Sequence, residues 1–337
     1  MRYQRSFLKF YISNFTMTPA RDVIVITSCT NRKKKSDTVL SLEGAAHAPS
    51  LGALAQRWHQ QVKSLGAVGL YPARELYVGR SMSEARQAAE AVAAPLYIAS
   101  AGHGLVRGDE CIPAYDVTVA AAADNSLYQC LLRLDAGPAA WWQALIQAFG
   151  AQRSLAQLVK TSTSALILLA VPAVYLELLA DELAQLDDAA LARLRIVTSA
   201  HGAANLAPRL QSSVMPYDER LEGLNGYAGT RSDFPQRALR HFVEIVRGHT
   251  LPLEQAREQV RQALAVLQKP VLPERQRKSD EEIIALLREH WQRLNGSATG
   301  LLRYLRDEAL VSCEQSRFRT LRQHVLVERN DEMRGNG

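Results

Sequence analysis

The residues with the most chemical content lie in one stretch, "LYIASAGHGLVRGDECIPAYD", from Leu96 to Asp116. An apolar run breaks into Gly-His-Gly and then meets acids, a proline and a Tyr-Asp pair. Gly102 and Gly104 relieve steric limits on either side of His103, whose imidazole could donate to a departing base or to a phosphate. Tyr115 supplies an aromatic face, and Asp116 a carboxylate able to orient water or stabilise a cation. A single histidine after a strand can equally be a satisfied structural residue. The flanking glycines and the Tyr-Asp pair weigh on the functional side.

Other segments carry similar chemistry. In "VIVITSCTNRKKK", Ser28 and Thr30 are small enough for a ligand to approach the backbone, and Asn31 can both donate and accept hydrogen bonds. Lys33, Lys34 and Lys35 could hold a phosphate, or form a solvated basic loop. In "ELYVGRSMSEAR", Tyr77 could stack on a base. Arg80 precedes Ser81 and could share an anion with a helix N-terminus, or form a salt bridge. "SAHGAANLAPR" gives His201 and Asn205. The glycine-rich "RLEGLNGYAGTRSDFPQRALRHF" gives Arg231, Asp233 and Arg237, with Asp233 read as the cap of a helix starting near Phe234 and His241 as a structural partner on that helix. There is no G-x-S-x-G, Walker A, H-E-x-x-H or strand-linked G-x-G-x-x-G. Cys29 has no basic partner identifiable from the sequence.

Positioning these residues requires strands that end where they begin. Four apolar runs without alternation read as parallel strands covered on both faces: Val23–Ser28, Leu96–Ser100, Ala165–Val171 and Leu194–Ser199. Amphipathic helices lie between them, in "SMSEARQAAEAVAA" with Ser81 and Glu84 at capping-box spacing, "PAAWWQALIQAF" and "AVYLELLADELAQL". The alternation predicts an α/β domain, a mainly parallel sheet flanked by helices, with ligands beyond the carboxyl ends of the strands. The "VPAVY" segment after the third strand reads as structural.

The organisation along the chain is an N-terminal extension over 1–20, the α/β domain over 21–250, a helix and linker over 251–279, and a helical module over 280–330. The linker assignment rests on "QKPVLPERQRKSD". In the module, Ser279 and Glu282 form a capping box, and three short helices with a tight connection near Ala309–Ser312 have a helix-turn-helix-like arrangement. Gln315, Arg317, Arg319, Arg322 and His324 would face a groove or phosphates, Arg303 and Arg306 the backbone, while Phe318, Leu321 and Val325 pack inward. A helical bundle with solvated arginines is the alternative. The last residues read as a frayed tail.

The 337 residues carry a net charge of +6, which favours an anionic partner, and 47% are apolar, enough for a large core. The four cysteines show no C-x-x-C spacing, which argues against a zinc site or disulfide framework and for a reducing cytoplasm. No run approaches a membrane span. No metal or cofactor is called for.

"ITSCTNRKKK", "LYVGRSM", "SAGHGLVRGDECIPAYD" and "LLRYLRDEALVSCEQSRF" together resemble an uncharacterised bacterial family. Its members pair a strand, Ser-Cys and lysines with a later "SAKHGL…PYD"-like segment. The likeness is closest from Val23 to Thr118, and Asn31 interrupts the basic run usual after Ser-Cys. That family is similar to the uracil-DNA-glycosylase-like α/β superfamily. The resemblance implies a metal-free, monofunctional DNA glycosylase that hydrolyses the N-glycosidic bond of a modified base, glucosylated hydroxymethylcytosine in phage double-stranded DNA. It would leave abasic sites as an antiphage defence. It places Asn31 where a water-positioning Asp or Asn stands, and His201 where a histidine faces the base. With the residues above, this makes Asn31, Asp116, His103 and His201 catalytic candidates. Ser28, Tyr77, Gly102 and Tyr115 are candidates for the base, and Lys33, Lys34, Arg80, Arg231, Arg317, Arg319 and Arg322 for phosphates. A non-catalytic DNA-binding sensor of a nucleotide or modified base is the competing reading. A base-exchanging transferase on RNA is a third.

Overall fold

Apolar runs of five or six residues become strands here because both of their faces are covered. A computed structural model describes residues 22–42, 47–66, 69–119, 127–270 and 273–335, with side chains to residue 329, so the extension read at 1–20 lies outside the described residues. The chain divides into two units, Met1–Lys269 and Pro270–Gly337.

In the first unit the strands are β1 (Val23–Ser28), β2 (Leu40–Ser41), β3 (Leu70–Pro72), β4 (Leu96–Ser100), β5 (Gly104–Arg107), β6 (Cys111–Pro113), β7 (Tyr115–Asp116), β8 (Leu166–Ala170) and β9 (Leu194–Val197). The main sheet runs β5-β4-β1-β8-β9, all parallel except the antiparallel edge strand β5. It is thus a mixed, mostly parallel sheet, and the four apolar runs read as parallel strands are the four that pair in parallel. Small pairings β2–β7 and β3–β6 lie outside it.

Period-two alternation sorts each strand between two cores. Ile24 and Ile26 of β1 join Ile167 and Leu169 of β8 under helices α1 (Leu51–Ser64), with Trp58, and, later in the chain, Pro138–Phe149, with Trp141 and Trp142. Val23 and Val25 face the other way with Leu166 and Leu168, against α2 (Arg80–Ala91). With α3 (Pro138–Phe149) and α4 (Ala173–Leu178) on the first face, the second face is completed by α5 (Phe234–Glu244) and α6 (Leu253–Ala265). The sheet is therefore flanked by helices on both sides. Ala256, Val260 and Leu264 of α6 are wholly buried in that second core, so this helix packs as part of the first unit, which runs on to Lys269.

Several local expectations change. The capping box read at Ser81 and Glu84 does not form. Its helix starts at Arg80 behind Gly79, whose φ of 112° suits glycine, and Glu84 is instead buried between Arg80 and Arg240. The run 173–186 is two short helices broken at Leu179, and the stretch 104–116, to which no element is assigned from the sequence, contains three short strands. Asp233 stands at the N-cap position of α5 without capping it. Its Oδ1 accepts from Arg237 Nε at 2.6 Å and Thr230 N at 2.9 Å. His241 bonds Tyr217, at 2.8 Å, not a residue of its own helix.

The second unit has its own core of Ile283, Leu287, Leu301, Leu305, Phe318, Leu321 and Val325, so the three residues read as inward-facing are so. Its helices are α7 (Asp280–His290), α8 (Ala298–Arg303) and α9 (Gln315–Gly335). The Ser279–Glu282 capping box is present, and α8 continues as a π turn over Tyr304–Glu308. The segment read as a frayed tail continues α9 to Gly335.

Candidate functional site

Parallel strands put their carboxyl ends along one edge, and the chain leaves β1 toward β4 on one side but leaves β8 toward β9 on the other. This reversal makes the β1/β8 boundary the switch point, where loops diverge and a crevice opens in open α/β sheets. Cys29, the first residue after β1, and Tyr175, on the helix after β8, meet there across 2.8 Å between thiol and hydroxyl.

Around that contact lies a buried polar cluster to which three further segments contribute. Tyr77 donates to Ser100 Oγ at 2.9 Å, and the Tyr77 and Tyr115 hydroxyls bond each other at 2.9 Å. Ser100 Oγ and the Tyr115 hydroxyl lie 2.8 Å apart, and Tyr115 also reaches Cys29 Sγ at 3.5 Å. Ser100 ends β4 and is the hub, since its Oγ also accepts from the backbone N–H of His103, at 3.1 Å, and of Gly102, at 3.4 Å. Burial, with Cys29 adjacent, pushes the Tyr77, Tyr115 and Tyr175 phenols well above their ordinary range, so all three are neutral donors at physiological pH.

The turn of residues 101–103 between β4 and β5 is held from outside by two indoles. Trp58 donates to the Gly102 carbonyl at 2.6 Å and Trp141 to the Ala101 carbonyl at 2.8 Å, satisfying two carbonyls that the apolar surroundings would otherwise strand. Gly102 is required by close approach, since a Cβ there would lie 2.9 Å from the Tyr115 ring. Gly104 has φ of 69°, in the left-handed region. The His103 ring is enclosed by Trp58, Tyr115 and Phe149, and its Nε2 finds no partner among the described residues. Burial, with Arg153 and Lys33 nearby, pulls it down to about 3, so it is neutral.

Over this floor sit Lys33, Asn31 and Asp116. Lys33 is half-buried, with Nζ 4.4 Å from the centre of the Tyr115 ring and 3.4 Å from the Asn31 carbonyl. Its backbone bridges to Tyr77. Burial lowers its pKa from the ordinary lysine value, while Cys29 and Asp116 pull it back up. Asn31 and Asp116 are exposed, Asp116 directly following Tyr115 in β7. The arrangement thus sets an amine over a buried cluster of hydroxyls, with the exposed residues Asn31 and Asp116 beside it.

The structure therefore gathers Ser28, Asn31, Lys33, Tyr77, Gly102, His103, Tyr115 and Asp116 at the first two strand ends. Tyr77 and Tyr115 are each 1% exposed, so in this conformation they present hydroxyls from a floor, not open faces for stacking. Arg80 is engaged with Glu84 at 3.0 Å, and Lys34 lies over the Tyr71 ring. His201 is exposed beyond β9, bonded to Asn205 at 3.3 Å, and Arg231 is exposed in a turn before α5. In the second unit, Arg317 pairs with Asp280, and Arg322 donates to the Gly296 carbonyl at 2.7 Å, while Arg319 is exposed. Arg317 and Arg322 therefore hold their own unit together.

Tyr175, Ser100, Trp58 and Trp141 are the members that sequence reasoning missed. On the opposite face of the sheet, outside this cluster, Gln236 reaches from α5 to Thr27 at 3.0 Å and to the Ala170 carbonyl at 3.2 Å. The available signal for Tyr175 was its position just past the third strand. Among the described residues no group of three or more His, Cys, Asp or Glu could hold a metal, and no helix is long and apolar enough to cross a membrane. A family model described as a family of unknown function (DUF6884) matches residues 67–194, which include Tyr77, His103, Tyr115, Asp116 and Tyr175 but not Lys33. No curated protein and no solved structure matches the chain.

Proposed function

We propose that the first unit is a DNA glycosylase of uracil-DNA-glycosylase-like architecture that hydrolyses the N-glycosidic bond of a modified base. The observation that carries this reading is the placement of Asp116, Asn31 and Lys33 over a neutral, hydroxyl-lined floor at the switch point of the sheet. Cleaving such a bond passes through a cationic sugar. A carboxylate at the mouth stabilises that cation electrostatically, and an amide beside it orients water.

In this reaction the C1′–N bond breaks and its electron pair leaves with the base. The oxygen of water bonds to C1′, Asp116 accepts the water's proton and returns it to solvent, and the departing base takes up a proton from solvent. Asn31 orients the water. The exposed Lys34 and Lys35 attract the phosphates, and the net charge of +6 acts in the same direction over longer range. His103, enclosed behind Tyr115, positions the floor instead of touching the base. Reaching the site requires the base to leave the duplex stack. The second unit, helix-turn-helix-like in this reading, holds the duplex through exposed residues such as Arg303 and Arg319. Phage DNA carrying glucosylated hydroxymethylcytosine is the proposed substrate, and abasic sites blocking its replication are the outcome.

The test is base release. Purified protein is incubated with matched duplexes carrying cytosine, hydroxymethylcytosine, glucosyl-hydroxymethylcytosine or uracil, and free base is read by mass spectrometry. Release from the glucosylated duplex is expected, with Asp116→Asn and Asn31→Ala each lowering the rate by about 100-fold or more at unchanged duplex binding. Tight duplex binding with no release from any substrate would replace this reading with that of a non-catalytic sensor.

A further inference from the structure

We infer that the Lys33 amine adds to the sugar aldehyde of an abasic site, giving the protein a strand-cleaving lyase step after base removal. This inference rests on the glycosylase reading. An abasic sugar in its ring-opened form carries a free aldehyde at C1′, and the class of protein group that captures an aldehyde reversibly is an unprotonated amine held out of bulk water. Among the three lysines of the basic loop, Lys33 alone is half-buried, while Lys34 and Lys35 are exposed. Its Nζ is fixed over the Tyr115 ring and beside the Asn31 carbonyl, next to the switch point of the sheet. Burial favours the neutral amine that attack requires. Asp116 is close enough to act on it electrostatically.

The step balances without any added oxidant or cofactor. The Nζ lone pair bonds to C1′, the resulting carbinolamine loses water, and a protonated imine forms. Asp116 removes a proton from C2′. The electrons of that C–H bond become a C2′–C3′ double bond, and the C3′–O bond breaks with its pair leaving on the phosphate. Water then hydrolyses the imine and frees Lys33.

A duplex with one preformed abasic site is incubated with the full chain and sodium borohydride, which reduces the imine to a stable secondary amine. A covalent protein–DNA species is expected on a denaturing gel, and peptide mapping of the wild-type adduct is expected to place it on Lys33. Lys33→Arg keeps the charge and is expected to lower trapping by about tenfold or more, while Lys160→Gln, an exposed lysine far along the chain, leaves it unchanged. Mapping to other lysines, or equal trapping by Lys33→Arg, overturns the inference. Base release measured on the same preparation separates the two ideas. Release without trapping removes the lyase step and keeps the glycosylase. Trapping on Lys33 without release from any modified duplex supports the amine chemistry and removes the glycosylase reading.

Discussion

Ser100 and Tyr115 are bonded to each other, yet removing one hydroxyl is expected to cost much more than removing the other. Tyr115→Phe deletes two good hydrogen bonds, to Tyr77 at 2.9 Å and Ser100 at 2.8 Å, and a long one to Cys29. Each former partner keeps another, because Tyr77 still donates to Ser100 and Cys29 still meets Tyr175. At about 1 kcal/mol net per bond the loss is about 2 kcal/mol. Ser100→Ala removes a smaller group but strips the acceptor from the backbone N–H groups of His103 and Gly102, which are buried and have no second partner among the described residues. A buried donor left unsatisfied costs about 1–3 kcal/mol beyond the lost bond, so the total is about 3–5 kcal/mol.

For a unit of this size these losses correspond to a fall in Tm of about 5 °C for Tyr115→Phe and about 10 °C for Ser100→Ala. Tryptophan emission is a suitable probe. Three of the four tryptophans are in the first unit, and two of them hold the turn that Ser100 organises. Urea titrations of the two variants against the wild type give the free energies directly. Equal losses, or a larger loss for Tyr115→Phe, would refute the assignment of Ser100 as the hub.

Two further outcomes follow from buried charge. Native His103 is held down to about 3 from 6.5, so below pH 6.5 the unfolded chain takes up a proton that the folded one refuses. Stability is therefore complete above that pH and falls as the solution is acidified, at about 1.4 kcal/mol per pH unit for this group. His241, lowered to about 4 by burial and by Arg240, acts in the same direction. His103→Gln is expected to flatten the acid slope of the urea midpoint, and an unchanged slope would show that other groups set it. Arg237 is wholly buried and bonds Asp233 at 2.6 Å, Glu222 at 2.8 Å and the carbonyls of Tyr227 and Thr230. Arg237→Met leaves the Asp233 carboxylate without its cation and is expected to cost about 3–5 kcal/mol, whereas exposed Arg231→Met stays within about 0.5 kcal/mol.

The layered architecture was legible because its signals are local. An apolar run such as "ALILLA" has no polar face to give to water, so it must lie between two layers, and the helix Pro138–Phe149 announces both ends by proline and glycine. What could not be read was set by distant partners. Ser81 and Glu84 have capping-box spacing, but a buried Glu84 gains more from two arginines, one of them 156 residues away on α5, than from a backbone N–H. The short strands of 104–116 owe their conformation to β3, β2 and β4, whose positions no local pattern discloses.

The candidate site divides in the same way. Glycines around His103, and the Tyr-Asp pair, were visible as types out of place at a strand end, and the fold does bring them beside the lysine loop. The roles of the aromatic residues were not visible. Tyr115 was read as a face for a base, yet the absence of a Cβ at Gly102 lets its ring pack flush against the turn, leaving only its hydroxyl for polar work. Tyr175 was read as structural because "VPAVY" is chemically plain, and its place depends on strand order. Only when β8 lies beside β1, with their loops diverging, does a tyrosine after the third strand reach the thiol after the first. Strand order is a property of the whole sheet. A residue whose position depends on it gains meaning from the topology, and Tyr175 is such a residue, closing the buried cluster beneath Lys33.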